Sequence, residues 1–259
     1  MKGTLVVKIG GSTFGSGDTT VEDLVALQKR SVPQVVVHGG GAMVTDWLKR
    51  LGVTAKFVHG LRVTDGGTLE VVVAVLAGLA NKALTAAIEL AGGKAIGLSG
   101  VDGGLLKAEV TNPELGLVGD VTGVNTALLG TVLRAGFIAV VAPVSLNAGF
   151  KAGTDMILNV NGDTVAGEIA AALKAERLIF LTDVAGVRDR DGKTVAKLTP
   201  EEGEGLIASG VATGGMEPKI RASIKALKTV KAARIIDGRQ PHALLAEIDG
   251  EGQGTTISV

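Results

Sequence analysis

Two lysines, one aspartate, one arginine and three runs of glycine carry most of the chemistry available to this chain. Lys8 lies near the end of the β-branched run VVKIGG at 6–11, two residues ahead of Gly10 and Gly11. A second run, VVVHGGG at 35–41, ends in Gly39, Gly40 and Gly41. A strand that stops in consecutive glycines presents bare backbone N–H groups, and such a nest takes phosphate or another anion. The helix-like AMVTDWLKRL that follows Gly41 adds the positive end of a helix dipole to the second nest. Neither run is the GxxxxGK[ST] phosphate loop or the GxGxxG dinucleotide fingerprint. Together they predict an anionic, phosphate-bearing substrate. A strand-end lysine is also an ordinary solvated residue; its place beside a nest favours the functional reading.

The remaining polar positions each carry two readings. Arg62 interrupts HGLRVTD at 59–65, where a guanidinium can grip a carboxylate at two points or form a surface pair with Asp65. Thr64 or Asp65 suits the cap of the next helix. Asp163 ends NVNGD at 159–163 and opens a helical run, either as a cap or as the partner of a lysine nearby in space. GGMEPK at 214–219 offers that lysine: Pro218 suits a first helical turn, and Lys219 there opposes the helix dipole unless an anion meets it. Thr182 and Asp183 in LTDVAGV at 181–187 help to form a nucleotide pocket or merely cap a turn. His38 touches substrate or packs at its strand end. His59 and His242 are too far apart in sequence to suggest a metal cluster.

The elements that must position these residues follow from the hydrophobic pattern. Strands are predicted at Thr4–Ile9, Gln34–His38, Lys94–Leu98, Ile138–Pro143, Arg177–Leu181 and Ala233–Asp237. Helices are predicted near 20–30, 42–51, 68–91, 125–135, 163–174, 202–209 and 218–228. Alternating strands and helices predict an α/β fold with a mainly parallel sheet covered on both faces. The run 68–91 is either a central helix that also forms a subunit interface or a wholly buried one. The stretch 105–124 alternates around Asn112–Pro113 and predicts an antiparallel hairpin able to cover a substrate site. Asp189–Gly192 reads as a polar turn, and a weak internal boundary falls near 172–176.

Composition narrows the function. The 259 residues are 46% hydrophobic, enough for a large core, and 26 Lys plus Arg balance 26 Asp plus Glu, so no global field favours nucleic acid. Cysteine is absent, which removes disulfides, thiol nucleophiles and thiolate metal sites and fits the cytoplasm. Aromatic residues are too sparse for base-stacking platforms. The first strand begins by about Leu5, so no signal peptide is expected, and the apolar runs are expected to break before membrane-spanning length.

Taken together, VVKIGG, VVVHGGG, GLRVTD, AGLANK, the VGDV hairpin, NVNGDTVA, LTDVAGV, GGMEPK and GQGTTI resemble the amino-acid kinase family over nearly the whole chain, most closely its branch acting on N-acetyl-L-glutamate. The resemblance implies a three-layer α/β/α sandwich forming a single domain over 1–259, with an acceptor-binding and dimerisation lobe over 1–174 and an ATP-binding lobe over 175–259. It implies ATP-dependent phosphorylation of the acceptor's γ-carboxylate in arginine biosynthesis. Lys8 and Lys219 would flank the migrating phosphoryl group, with Lys219 also touching nucleotide, and Asp163 would position both lysines. Gly10, Gly11, Gly40 and Gly41 would donate N–H groups around phosphate and substrate. Arg62 and Asn159 would hold the acceptor's carboxylate end, while Thr182 and Asp183 would lie in the nucleotide lobe. Magnesium would accompany ATP, with no protein ligand assigned.

Some family members carry an extra N-terminal helix that links dimers into an arginine-inhibited hexamer; this chain starts almost directly with its first strand, so a homodimer is expected. A carboxylate acceptor is already ionised near neutral pH and needs no general base. Repulsion between two anions must be overcome instead, by lysines, magnesium and N–H groups acting through position and charge. One rival keeps the fold and phosphorylates an aminoadipate or glutamate attached to a carrier protein. Another is a nonenzymatic amino-acid or nucleotide sensor, which would leave Lys8, Asp163 and Lys219 idle.

Overall fold

The computed structural model describes residues 3–10, 18–58 and 60–259. In chain order, β1 (Leu5–Ile9), α1 (Thr20–Lys29), β2 (Gln34–His38) and α2 (Gly41–Arg50) lead to a two-stranded hairpin of β3 (Phe57–Val58) and β4 (Leu61–Arg62). One continuous helix follows: α3 (Gly66–Val72), a π-helical stretch (Val73–Ala80) and α4 (Asn81–Leu90). Next come β5 (Ala95–Ser99), β6 (Leu106–Glu109), β7 (Asp120–Val124), α5 (Thr126–Arg134), β8 (Ile138–Ala142), β9 (Val144–Asn147), β10 (Ile157–Asn159) and α6 (Gly162–Leu173). The chain closes with β11 (Arg177–Thr182), β12 (Lys197–Leu198), α7 (Pro200–Ala208), α8 (Met216–Ala226), β13 (Ala232–Asp237), α9 (Ala243–Asp249) and β14 (Thr255–Ser258).

The central sheet has eight strands in the order β12-β14-β13-β11-β1-β2-β8-β5, and only the β13–β14 pair is antiparallel. Alternation within each strand sorts the core into two layers. Val6, Val35, Val37, Val141, Leu178, Phe180 and Ile235 face α5, α6 and α8. Val7, Ile9, Val36, Val140, Ile179 and Ile236 face α1, α4 and α9. Both faces are covered, which is why these strands read as unbroken β-branched runs. A third cluster joins α2 and the long helix through Val44, Leu48, Val72, Val75 and Leu76. The expected three-layer sandwich is therefore present.

Parallel order places the ends of β1, β2 and β11 side by side. Lys8 pairs with Val37 on one side and Phe180 on the other, and Ile9 pairs with His38 and Leu181. Ligands of open α/β sheets bind outside such carboxyl ends. The sheet runs unbroken across the 174/175 junction, because β11 pairs with β1.

The hairpin expected over 105–124 is formed by β6 and β7, with Asn112 capping a short 3-10 turn at its tip. These strands join β9 and β10 in a separate four-stranded sheet. The expectation that every apolar run breaks early fails for Gly66–Leu90, a 25-residue helix long and apolar enough by length and composition to cross a membrane. Gly78 and Asn81 do not interrupt it, because both are accommodated in helical geometry. A core helix of a soluble protein passes the same test. Only 33% of its apolar window is buried, so the helix is not wholly enclosed.

Candidate active site

Lys8 lies on the α6 face of β1, the same side as Val6, because successive strand residues alternate. It is 8% exposed. Facing it is the first turn of α6. Asn161, not Asp163, caps this helix: its side chain accepts from the N–H groups of Asp163 and Thr164 at 2.8 and 3.1 Å. Asp163 is thereby released from capping. A Cβ at Gly162 would lie 3.6 Å from Lys8 Cε, so the lysine stem runs along the helix start. Lys8 Nζ meets Asp163 Oδ1 at 2.8 Å.

The second oxygen, Asp163 Oδ2, accepts from Lys219 Nζ at 3.2 Å. Lys219 stands in the first turn of α8, where its charge opposes the helix dipole. It also donates to the Gly215 carbonyl at 2.9 Å. The meeting depends on how closely α6 and α8 pack. Gly167, one turn after Asp163, lies against Ala222, and a Cβ there would stand 2.8 Å from the Ala222 carbonyl oxygen. The three groups form a buried cation–anion–cation bridge. Burial is the largest single influence on Asp163 and opposes ionisation, yet the two ammonium groups together hold its carboxyl below the usual range. Burial pulls Lys219 below the ordinary lysine range; Asp163 resists this and Lys8 adds to it.

Lys8 and Asp163 line a cleft of about 220 Å³ together with Gly40, Gly41, Arg62 and Asn159. Four sequence-predicted substrate residues thus meet around one space. Arg62 Nη2 donates to the Gly41 carbonyl and to Thr45 Oγ1, each at 2.8 Å. Arg62 Nη1 is buried and has no hydrogen-bond partner. An unpaired buried donor is costly, and a bound carboxylate would satisfy it. The guanidinium also lies 4.8 Å from the Phe57 ring centre. The alternative Arg62–Asp65 pair does not form; Asp65 instead caps α3 through Thr68 N–H at 2.8 Å. Asn159 Nδ2 donates to Thr64 Oγ1 at 3.1 Å, and its backbone pairs with Leu117 and Gly119. The 105–124 segment therefore backs the cleft through Asn159.

Gly40 adopts φ +149, and a Cβ there would press within 2.6 Å of Leu76 Cδ2. Only glycine fits this turn. The first N–H groups of α2 lack intrahelical partners and lie beside the cleft. Gly10 differs from its expected role: its N–H extends the sheet ladder to the Leu181 carbonyl at 3.1 Å. Gly11 lies outside the described residues, as does His59.

On the other side of Asp163, Thr182 is buried and its hydroxyl bonds to the carbonyls of Val184 and Ile236 at 2.8 and 3.0 Å. It shapes the turn rather than offering a hydroxyl to a ligand. Asp183 is exposed at the strand end. Just beyond it, Val184, Val187, Ala212 and Met216 line a mostly apolar recess of about 220 Å³. Met216 precedes Lys219 by three residues, so the recess adjoins the lysine's helix start. Sequence reasoning missed Asn161 as the cap, Thr45, Gly167 and this recess. An Asn two residues before an Asp at a helix start was the one usable signal.

His38 is a packed strand-end residue. Its Nδ1 faces the Gly39 carbonyl at 2.8 Å and its Nε2 meets Asn81 Nδ2 at 3.2 Å, while burial lowers its pKa. The first contact requires the Nδ1–H tautomer, leaving Nε2 to accept.

A glycine-lined edge of a parallel sheet with a Lys–Asp–Lys bridge suits phosphoryl transfer. The chain belongs to the amino acid kinase family, whose profile matches residues 3–237. It is similar to the acetylglutamate kinase of Dehalococcoides mccartyi (strain ATCC BAA-2266 / KCTC 15142 / 195), with 44% identity over 254 residues covering 98% of this chain and 93% of that one. It is 45% identical over 258 residues to the acetylglutamate kinase of Cereibacter sphaeroides (strain ATCC 17029 / ATH 2.4.9), covering 98% of this chain and 87% of that one. Among solved structures, smu.665 from Streptococcus mutans UA159 superimposes with a TM-score of 0.84 at 28% identity, covering 100% of this chain and 99% of that one.

Proposed function

We propose that this protein transfers the γ-phosphoryl group of ATP to the γ-carboxylate of N-acetyl-L-glutamate, giving N-acetylglutamyl 5-phosphate and ADP in arginine biosynthesis. The observation that carries the reading is Asp163 held between Lys8 and Lys219 in the lining of a cleft that also offers the unpartnered Nη1 of Arg62. The similarity to acetylglutamate kinases over almost the full chain supports the acceptor.

In this proposal the acceptor occupies the cleft, its carboxylate end on Arg62 and Asn159, and its reacting carboxylate beside Lys8. The nucleotide occupies the recess between Val187 and Met216, with its phosphates running past Asp183 towards Lys219. Gly40, Gly41 and the N-terminus of α2 meet the anionic oxygens. Both lysines would turn from Asp163 to the transferring group, and Asp163 keeps them charged and aimed. It is an organiser and not a base, because the attacking carboxylate has no proton to lose. No group of three or more His, Asp or Glu side chains suited to a metal gathers among the described residues. Magnesium would enter as a complex with ATP, and when bound it would supply charge neutralisation at the phosphates beside Lys8 and Lys219.

Residues 1–174 form the acceptor-binding part and 175–259 the nucleotide-binding part, joined by one sheet. A homodimer forms on the uncovered face of Gly66–Leu90, where Leu79 and Leu90 are exposed. The proposed compartment is the cytoplasm.

The test is ADP release with magnesium and a panel of acceptors: acetylglutamate, glutamate, aspartate, carbamate, UMP and carrier-linked aminoadipate. Acetylglutamate is expected to be clearly preferred. A preference for any other member would overturn the acceptor, and nucleotide binding without acceptor-dependent ADP release would favour a sensor.

A further inference from the structure

We infer that His38 and Asn81 form a buried positioning pair that aims the Gly40 N–H at the anionic oxygens in the cleft. Both side chains are fully buried, and neither lines the cleft. His38 Nδ1 lies 2.8 Å from the Gly39 carbonyl oxygen, which can only accept, so this nitrogen carries the ring proton and donates. Nε2 is left to accept from Asn81 Nδ2 at 3.2 Å. Burial lowers the His38 pKa, the bond to Gly39 opposes this, and the charges of Lys8 and Lys82 add to it, so Nε2 keeps its lone pair at neutral pH. The peptide joining Gly39 to Gly40 is trans, and its N–H therefore points opposite to its carbonyl. With the carbonyl turned to the buried ring, the Gly40 N–H is turned away from it. That N–H has no acceptor among the described residues, and Gly40 lines the cleft.

Asn81 holds the ring from the long helix. Its Nδ2 also faces the carbonyls of Leu98 in β5 and Val140 in β8 at 3.1 and 3.0 Å, and its Oδ1 accepts from Lys82 Nζ at 3.0 Å. An amide fixed to two strands and its own helix cannot follow a tilting ring. The same helix meets the glycine turn a second time through Leu76, whose Cδ2 would stand 2.6 Å from a Cβ on Gly40. Leu76 and Asn81 are five residues apart, which in an α-helix would set them about 140° apart around the axis. Val73–Ala80 is π-helical, and i→i+5 bonding stacks such positions. The π-helical stretch thus brings both side chains to one side, against residues 38 and 40. His38 and Asn81 are positioning residues, because they act on the reacting atoms only through the Gly39–Gly40 peptide. This inference rests on the proposed transfer to acetylglutamate.

The test uses His38→Asn, His38→Gln and Asn81→Leu in the full chain, with the wild-type histidine rings read by nitrogen NMR. An Asn amide can stand where Nδ1 stands and donate to the Gly39 carbonyl, whereas a Gln amide reaches the place of Nε2 and meets Asn81 instead. A purely structural role would make the larger Gln at least as good a replacement as Asn. Aiming of the peptide predicts the reverse order. His38→Gln should lower kcat roughly ten- to a hundredfold, with the acetylglutamate KM within about threefold, while His38→Asn should stay within about fivefold of the wild-type kcat. Asn81→Leu should lose as much as His38→Gln, and the two together little more, as for coupled residues. Wild-type His38 should appear as the neutral Nδ1–H tautomer. A wild-type kcat per folded molecule in His38→Gln would overturn the inference, as would a His38→Asn enzyme no faster than His38→Gln. So would an Nε2–H ring in the wild type, whatever the acceptor. If the wild-type chain instead phosphorylates another acceptor on the panel, the acceptor assignment fails and the order of the same variants with that acceptor decides this inference. If no acceptor supports ADP release, both ideas fall.

Discussion

Asp163→Asn keeps the shape of the central side chain and removes its charge. The carboxylate is 5% exposed and faces ammonium groups at 2.8 and 3.2 Å. At an effective dielectric near 20, those distances correspond to roughly 6 and 5 kcal/mol of gross attraction. Desolvation of three charges offsets most of it. The substitution leaves two buried cations facing each other with no anion, and breaking a buried pair in this way costs about 3–5 kcal/mol. The chain recovers part of that by releasing a proton. Lys219 is already held below the ordinary lysine range by burial, against the pull of Asp163, so removing the carboxylate lowers its pKa further. At neutral pH the variant should lose on the order of a hundred- to a thousandfold in kcat, the scale of one fixed electrostatic group. The alkaline limb of its pH–kcat profile should move to lower pH, since ammonium is lost earlier as pH rises.

Stability must follow the same signs. A lysine depressed in the folded state binds fewer protons folded than unfolded, so the variant should gain stability as pH rises from that depressed value towards the ordinary one of about 10.4. In the wild type, the lowered pKa of Asp163 gives stability that is present above about 3.9 and is lost as pH falls through its folded value. Steady-state ADP release and chemical denaturation across pH measure both. An Asp163→Asn enzyme with undiminished kcat and an unmoved alkaline limb would refute the reasoning.

Three further outcomes are expected. Gly167→Ala forces a Cβ to 2.8 Å from the Ala222 carbonyl, so α6 and α8 must part; denaturation should show a loss of about 1–3 kcal/mol, and kcat should fall more than KM rises. Arg62→Ala removes charged hydrogen bonds of about 1.5–3 kcal/mol, which predicts an acetylglutamate KM raised roughly ten- to a hundredfold with kcat nearly kept; Arg62→Lys should rescue little, because an ammonium cannot hold α2 and a carboxylate in the same fork. His242 Nδ1 meets Asp23 Oδ1 at 2.7 Å, while Asp23 also accepts from the N–H groups of Leu244 and Leu245 at the start of α9. The hydrogen bond to Asp23 and its charge raise the His242 pKa, with Glu22 adding slightly. That contribution is full below about 6.5 and is lost as pH rises through the higher folded value, so the Tm difference between wild type and His242→Ala should shrink from acid to alkaline pH.

The sequence by itself determined the sheet and the ingredients of the site. β1, β2, β8 and β11 are buried on both faces, so each reads as a continuous apolar run, and the glycines that end β1 and β2 mark the edge where ligands gather. Lys8, Arg62, Asp163 and Lys219 stood out because charge beside glycine or at a helix start needs a reason. Short strands such as β12 and β14 gave no such signal, since two to four residues are too few for a period to show. Tertiary structure alone decided who meets whom. Strand order put Lys8 beside α6, the bare surface of Gly167 let α8 approach until Lys219 reached an aspartate 56 residues away, and Asn161 took over the cap and freed that aspartate for two cations. It also drew the hydroxyl of Thr182 and the ring of His38 into internal bonds, one of the two readings the sequence left open for each, and left one nitrogen of Arg62 unsatisfied. Linear spacing is silent on such matters, because a contact between distant residues depends on close packing of whole elements, and packing is a property of the assembled layers.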